Sequence, residues 1–198
     1  MVREITLAVV LCATPAAAQT FKIDPSASTT TIVVGKAGLF SFAAGHTHEV
    51  RGPIAGAVTL DAADSARSGV ELEIAASGLQ VSGKGEPPDD VPKVQAAMQG
   101  EKVLDSAHYP RITFKSTSAK GAHDAGAFDV TVTGTLTIRS VSRPVTTTVH
   151  VEKSGASLTA TGRFTIKQSA FGIQPISVAG VVAVKDELEV AFSIVAKP

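Results

Sequence analysis

Residues 128–151 read FDVTVTGTLTIRSVSRPVTTTVHV. Phe128, Val130, Val132, Leu136 and Ile138 alternate with Asp129, Thr131, Thr133, Thr135, Thr137 and Arg139. A two-residue period puts the two sets on opposite sides of a strand, one face apolar and one wet. The threonines agree with this, because β-branched side chains fit a pleated surface. A polar connection at 140–143 leads to Pro144, after which Val145, Thr147, Val149 and Val151 resume the alternation with changed parity. The connection sets the new register, so the change costs nothing. The stretch reads as a long antiparallel hairpin.

Strands of about twelve residues exceed the usual ~5–6 and twist strongly. No amphipathic helix elsewhere is long enough to cover their apolar face. The sheet must cover itself, as a sandwich or a closed barrel. Gly134 lies on the inner face, where it marks either a bend or bulge or clearance for a ligand; both imply curvature.

On the N-terminal side, strands are expected over 21–25, stopped by Pro25, and over 28–34. Between 40 and 60 the even positions carry Phe40, Phe42, His46, His48, Val50, Gly52 and Ile54. This is one glycine-bent strand or two strands broken near Gly45 and Gly52-Pro53. Residues 70–74 alternate again, and 77–92 form a long loop rich in Gly, Ser, Pro and acids. Residues 93–98 give a short helix with Val94, Ala97 and Met98 on one face. Strands follow at 111–116 and 158–166, then at 178–184 and 188–194 on either side of a tight turn at 185–187. The count suits a closed antiparallel barrel large enough for one small ligand.

The first eighteen residues have the pattern of a secretory signal peptide: Arg3, an apolar run from Ile5 to Ala13, and Ala16-Ala17-Ala18. The run is too short for a membrane anchor. Cys12, the single cysteine, falls within it, so residues 19–198 form one domain without disulfide or thiol chemistry. Export places that domain in the periplasm. Eighteen basic and eighteen acidic residues balance, and no basic patch points to nucleic acid or anionic membrane.

No GxSxG, HExxH, dinucleotide or P-loop motif is present. The acid pairs Asp89-Asp90 and Asp186-Glu187 fall among turn residues, where solvated charge is the ordinary state. His46 and His48 project to one side of a strand with the parity of Phe40, Phe42 and Val50. They could share a metal, but a zinc site needs a third protein ligand, and His108, Glu101 or Asp89 would have to reach it through the fold. They could instead meet a ligand head group or be satisfied core histidines. His108 reads as a turn residue, His123 as part of a glycine-rich loop, and His150 as outward-facing.

Four stretches resemble, in order, motifs of the YceI-like family of secreted lipid-binding proteins. Residues 107–116, AHYPRITFKS, resemble its YPxxxFxS stretch. Residues 134–145, GTLTIRSVSRPV, resemble its G-x-LTI-x-G-V-x-x-P-V stretch, with Ser140 in place of glycine. Residues 166–173, IKQSAFGI, resemble its INRSDFGI stretch, with Lys167-Gln168 and Ala170 replacing Asn-Arg and Asp. Residues 21–26, FKIDPS, look like its opening.

The resemblance implies an all-β fold: an extended antiparallel lipocalin-like barrel of about eight strands, with one short helix near its mouth. It also implies a polyisoprenoid or similar long-chain amphiphile in an apolar pore. The leading reading is a non-catalytic periplasmic carrier without cofactor, possible ligands including an isoprenoid quinone. Phe40, Phe42, His46, His48, Val50 and Met98 are its ligand-facing residues toward the N-terminal half. Phe114, Val132, Gly134, Leu136, Phe164 and Phe171 complete the set. The alternatives are a metal-dependent barrel using His46 and His48, and a structural or stress-response barrel with a filled core. Oligomeric state stays open between monomer and homodimer.

Overall fold

A computed structural model describes residues 18–37, 47–61, 67–121, 126–178 and 182–198. Residues 1–17 of the expected leader, together with Phe40, Phe42, His46 and His123, lie outside the described residues.

β1 (Gln19–Ile23) and β2 (Thr29–Ala37) form one bent stave. β3 (His48–Pro53) and β4 (Ala55–Leu60) form the next, broken at Ile54 next to the expected Gly52-Pro53. β5 (Gly69–Ala75) pairs with β4, while the two-residue β6 (Gln80–Val81) pairs with β3. β7 (Arg111–Lys120), β8 (Ala127–Ile138), β9 (Val141–Ser154) and β10 (Ser157–Lys167) follow as antiparallel neighbours. β11 (Ser177–Val178) and β12 (Val182–Lys197) complete the chain. β12 pairs with β10 on one side and with β1 and β2 on the other, closing an eight-stranded antiparallel barrel. Closure removes the sheet edges and turns the apolar face of every stave inward.

The hairpin of residues 128–151 forms as the alternation requires, with unbroken register from Ala127↔Glu152 to Ile138↔Val141. Its connection differs from the expected 140–143. The turn is Arg139-Ser140 alone, with φ of 51° and 70°. Positive φ at both central residues is what a two-residue hairpin turn with the sheet's own twist demands, and glycine or asparagine usually supplies it. Arg139 also hydrogen-bonds the Val103 carbonyl and lies over the Tyr109 ring, 5.7 Å from its centre. These contacts tie the turn to the chain that follows the helix.

β9 and β10 pair only as far as Gly162↔Val149. Beyond that point they part, and the Thr147 hydroxyl donates to the Arg163 carbonyl at 2.7 Å in place of a ladder. Pro144, which has no N–H to donate, stands in the part of β9 that β10 leaves unpaired.

The tight turn expected at 185–187 does not form. β12 runs through it as one strand, with an irregularity in its pairing to β2 between Val184 and Leu188. Asp186 accepts the Ser169 N–H at 2.8 Å and the Ser169 hydroxyl at 2.6 Å, and the Lys185 carbonyl accepts from Gln168 Nε2. The turn-like residues are held by the 3₁₀ segment Gln168–Phe171.

Among the described residues the single α-helix is α1 (Val91–Gln99), with Pro92 in its first turn. Gln95 accepts the Val81 N–H and donates to the Leu79 carbonyl. Gln99, one turn on, donates to the Ala76 and Leu79 carbonyls. Two glutamines thus bind the helix to backbone that has no full ladder of its own.

Two buried clusters fill the barrel's ends. One gathers Phe21, Ile23, Ile54, Phe128, Leu158 and Ile194. The other packs Val50, Leu79, Leu136, Ile138 and Phe171 beneath the helix.

Candidate ligand cavity

Two cavities follow one another along the barrel axis. The first, about 180 Å³, is enclosed by inward-facing side chains of the staves, including Ile32, Val58, Leu72, Phe114, Val132, Leu136, Phe164 and Phe192. Thr30, Thr59, Ser68, Ser116 and Thr147 are its few polar lining residues. The second, about 370 Å³, opens under α1 and is lined by Val34, Val50, Val94, Ala97, Met98 and Val184 together with charged groups. β2 shows the continuity: Thr30 and Ile32 face the inner cavity, and Val34 and Lys36 face the mouth.

The period-two reading places Phe114, Val132, Leu136 and Phe164 on the inner cavity, and the helical reading places Met98 on the mouth beside Val50 and His48. Two residues stand elsewhere. The ring of Phe114 lies across Gly134, so the ring rather than the glycine faces the cavity. The bulge expected there is in the partner strand, where pairing of β7 to β8 shifts between Ser116 and Ser118. Phe171 is buried in the cluster below the helix and borders the outer groove between β9 and β10.

The polar centre of the mouth is His48 with Glu86. His48 Nδ1 is 2.9 Å from Glu86 Oε1, and the two side chains are 18 % and 1 % exposed. The contact has ion-pair distance but not the angle of a well-formed hydrogen bond, so both Glu86 oxygens and His48 Nδ1 are buried without one. Glu86 comes from the stretch expected as a long loop, 77–92, and no signal in the sequence pairs it with His48. Lys36 lines the rim, and Lys93 joins Asp90 there at 2.8 Å. Gln168, at one of the positions departing from the INRSDFGI pattern, also lines the mouth.

The two other described histidines, His108 and His150, are peripheral. His108 pairs with Asp105 at 2.8 Å on the surface, which with nearby Glu101 holds its pKa above the ordinary 6.5. His150 faces outward against Asp129. Among the described residues no three His, Cys, Asp or Glu side chains converge as a metal-ligand set, and no helix is long and apolar enough to cross a membrane.

The fold is a closed antiparallel barrel with an apolar interior and a charged mouth covered by a helix. The YceI-like domain model matches residues 21–196, and the chain belongs to the YceI-like family. Among solved structures, Burkholderia cenocepacia BcnA is 24% identical, with a TM-score of 0.66 over 88% of this chain and 99% of that one. A polyisoprenoid-binding domain from Saccharophagus degradans, implicated in plant cell wall breakdown, is 15% identical, with a TM-score of 0.67 over 89% of this chain and 97% of that one. The Campylobacter jejuni YCEI protein is 17% identical, with a TM-score of 0.55 over 73% of this chain and 81% of its own. At these identities the likeness is one of fold. No curated protein matches.

Proposed function

We propose that the protein is a non-catalytic carrier, exported to the periplasm, that holds an isoprenoid amphiphile with its tail in the barrel and its head at the mouth. The observation that carries this reading is the stacking of an apolar inner cavity on an amphipathic one, along a continuous wall of β2 and β12. A few polar groups in an otherwise apolar pocket fix a ligand's orientation. The polyisoprenoid-binding domain with the same fold supports the ligand class.

The volumes bound the tail. At roughly 30 Å³ for a water-sized or methylene-sized group, the inner 180 Å³ takes about six carbon centres and the mouth's 370 Å³ about twelve. Between roughly three and four isoprene units fit before the walls must move. A longer tail then needs the unpaired stretch between β9 and β10 to part.

Two measurements test the proposal. Native mass spectrometry of protein from a secreting host should show co-purified lipid on a chain beginning at Gln19. Delipidated protein should bind geraniol, farnesol and geranylgeraniol with rising affinity, since each buried methylene contributes ~0.8 kcal/mol, and gain little from longer homologues. Protein that carries no lipid and takes up none of the series overturns the carrier reading.

A further inference from the structure

We infer that the mouth selects a hydroxyl head group, and that Glu86 is the residue that recognises it. The inference rests on the carrier reading and adds the chemistry of the head. It starts from an anomaly: Glu86 is a carboxyl side chain with 1 % exposure, and among the described residues neither oxygen has a hydrogen bond. A buried polar group without a partner costs about 1–3 kcal/mol, and more when charged. The carboxyl lines the mouth cavity, so a ligand's head can supply the missing partner.

The polarity of that partner follows from counting protons. Nδ1 and Oε1, 2.9 Å apart, have room for one proton between them. If the proton resides on the imidazole, the carboxylate's other oxygen, Oε2, is an acceptor. If it resides on Oε1, Oε2 is the carbonyl oxygen and is still an acceptor. Nε2 carries a hydrogen when the shared proton is on Oε1 or when the imidazole is doubly protonated; in the neutral Nδ1–H tautomer it is a second acceptor. Nδ1 is buried, so the part of the ring left accessible is the edge away from it. The pair therefore presents the acceptor Oε2 to the cavity whichever residue holds the shared proton, with Nε2 beside it as a donor or a second acceptor.

A hydroxyl meets either arrangement, donating to Oε2 and accepting from Nε2–H where that hydrogen is present. A quinone or ether oxygen can only accept, and leaves Oε2 unmet. A phosphate brings anionic oxygens against a buried acceptor. The cations of the mouth do not reverse this. Lys93 is engaged by Asp90 at 2.8 Å, Lys36 stands on the rim, and Gln168, neutral, commits its amide N–H to the Lys185 carbonyl.

The test holds the tail constant and varies the head. Delipidated protein is titrated with geranylgeraniol, its methyl ether, its phosphate and the corresponding amine, each displacing an environment-sensitive apolar dye. The alcohol should bind about ten-fold or more tighter than the ether and the phosphate, the size of one hydrogen bond to a charged group. Glu86→Leu should bind alcohol and ether alike, with the ether at its wild-type affinity; that retained affinity shows the cavity is intact. Glu86→Gln keeps a carbonyl acceptor without the charge, so it should keep the preference for alcohol over ether while narrowing the gap to the phosphate. Equal wild-type affinities for alcohol and ether, tighter binding of phosphate or amine, or a preference that survives Glu86→Leu each overturn the assignment with the carrier reading intact. Failure of all four probes to displace the dye from wild type overturns the carrier reading instead.

Discussion

The ring of Phe114 occupies the space that a side chain at Gly134 would need, across the ladder between β7 and β8. The same arrangement recurs at Gly162, where a Cβ would meet the ring of its cross-strand neighbour Phe192 at 2.5 Å. In each pair a large ring covers a residue without a side chain, so a curved wall stays close-packed with no gap at the bend.

Gly134→Ala should therefore destabilise the barrel by about 1–3 kcal/mol, the usual cost of overpacking. A Cβ there also meets the Lys115 carbonyl at 2.6 Å, which no rotamer change can move. Phe114→Leu in the same chain should recover only part of the loss. Urea unfolding of the single and double variants measures both. A neutral Gly134→Ala would show that the ring and strand shift freely.

The helix over the mouth depends on Gln95. Its amide meets the Val81 N–H at 2.8 Å and the Leu79 carbonyl at 2.9 Å, and Gln95→Ala leaves both without that partner. The Val81 N–H is then unsatisfied at a cost of about 1–3 kcal/mol, while the Leu79 carbonyl keeps its bond from Gln99. Loss of stability should come with faster release of a bound apolar dye, since α1 would be less firmly seated. An unchanged release rate in a destabilised variant would mean that the helix does not gate the cavity.

His150 gives a pH dependence of known sign. Its hydrogen bond to Asp129 at 2.7 Å, with Glu152 also near, raises its pKa above the ordinary 6.5, although partial desolvation opposes the shift. A raised folded-state pKa stabilises the fold fully below the unfolded value. That contribution is lost as pH rises from about 6.5 through the folded pKa. The site is open to solvent, so the effect on stability is small, and the pKa itself is the better readout. Proton NMR should place His150 above 6.5 and move it down in Asp129→Asn; no movement would show that the pair does not form in solution.

The walls of the barrel were legible because period two is a property of the chain itself. Val132, Leu136 and Phe164 could be assigned to the interior from parity alone. The turn at Arg139-Ser140 was not, because its positive φ values are carried by residues with no glycine-like signature; the tertiary contacts of Arg139 help hold it. The sequence Lys185-Asp186-Glu187 looks like a turn by composition, yet Ser169 and Gln168 hold it within a strand. The partner of His48 was illegible for a similar reason. Glu86 lies in a Gly- and Pro-rich loop, where an acid is ordinarily solvated, and only the fold carries that loop back over the mouth.

The parting of β9 from β10 leaves two short strand edges inside a sheet that is otherwise closed. Exposed edges are templates on which other chains can add strands and grow into aggregates. Here the edges face one another, Pro144 withholds a donor from one, and Arg143, Arg163 and Lys167 place like charge along both. An approaching strand finds too few hydrogen-bond partners and a cationic border. The unpaired stretch is thereby kept from nucleating fibrils.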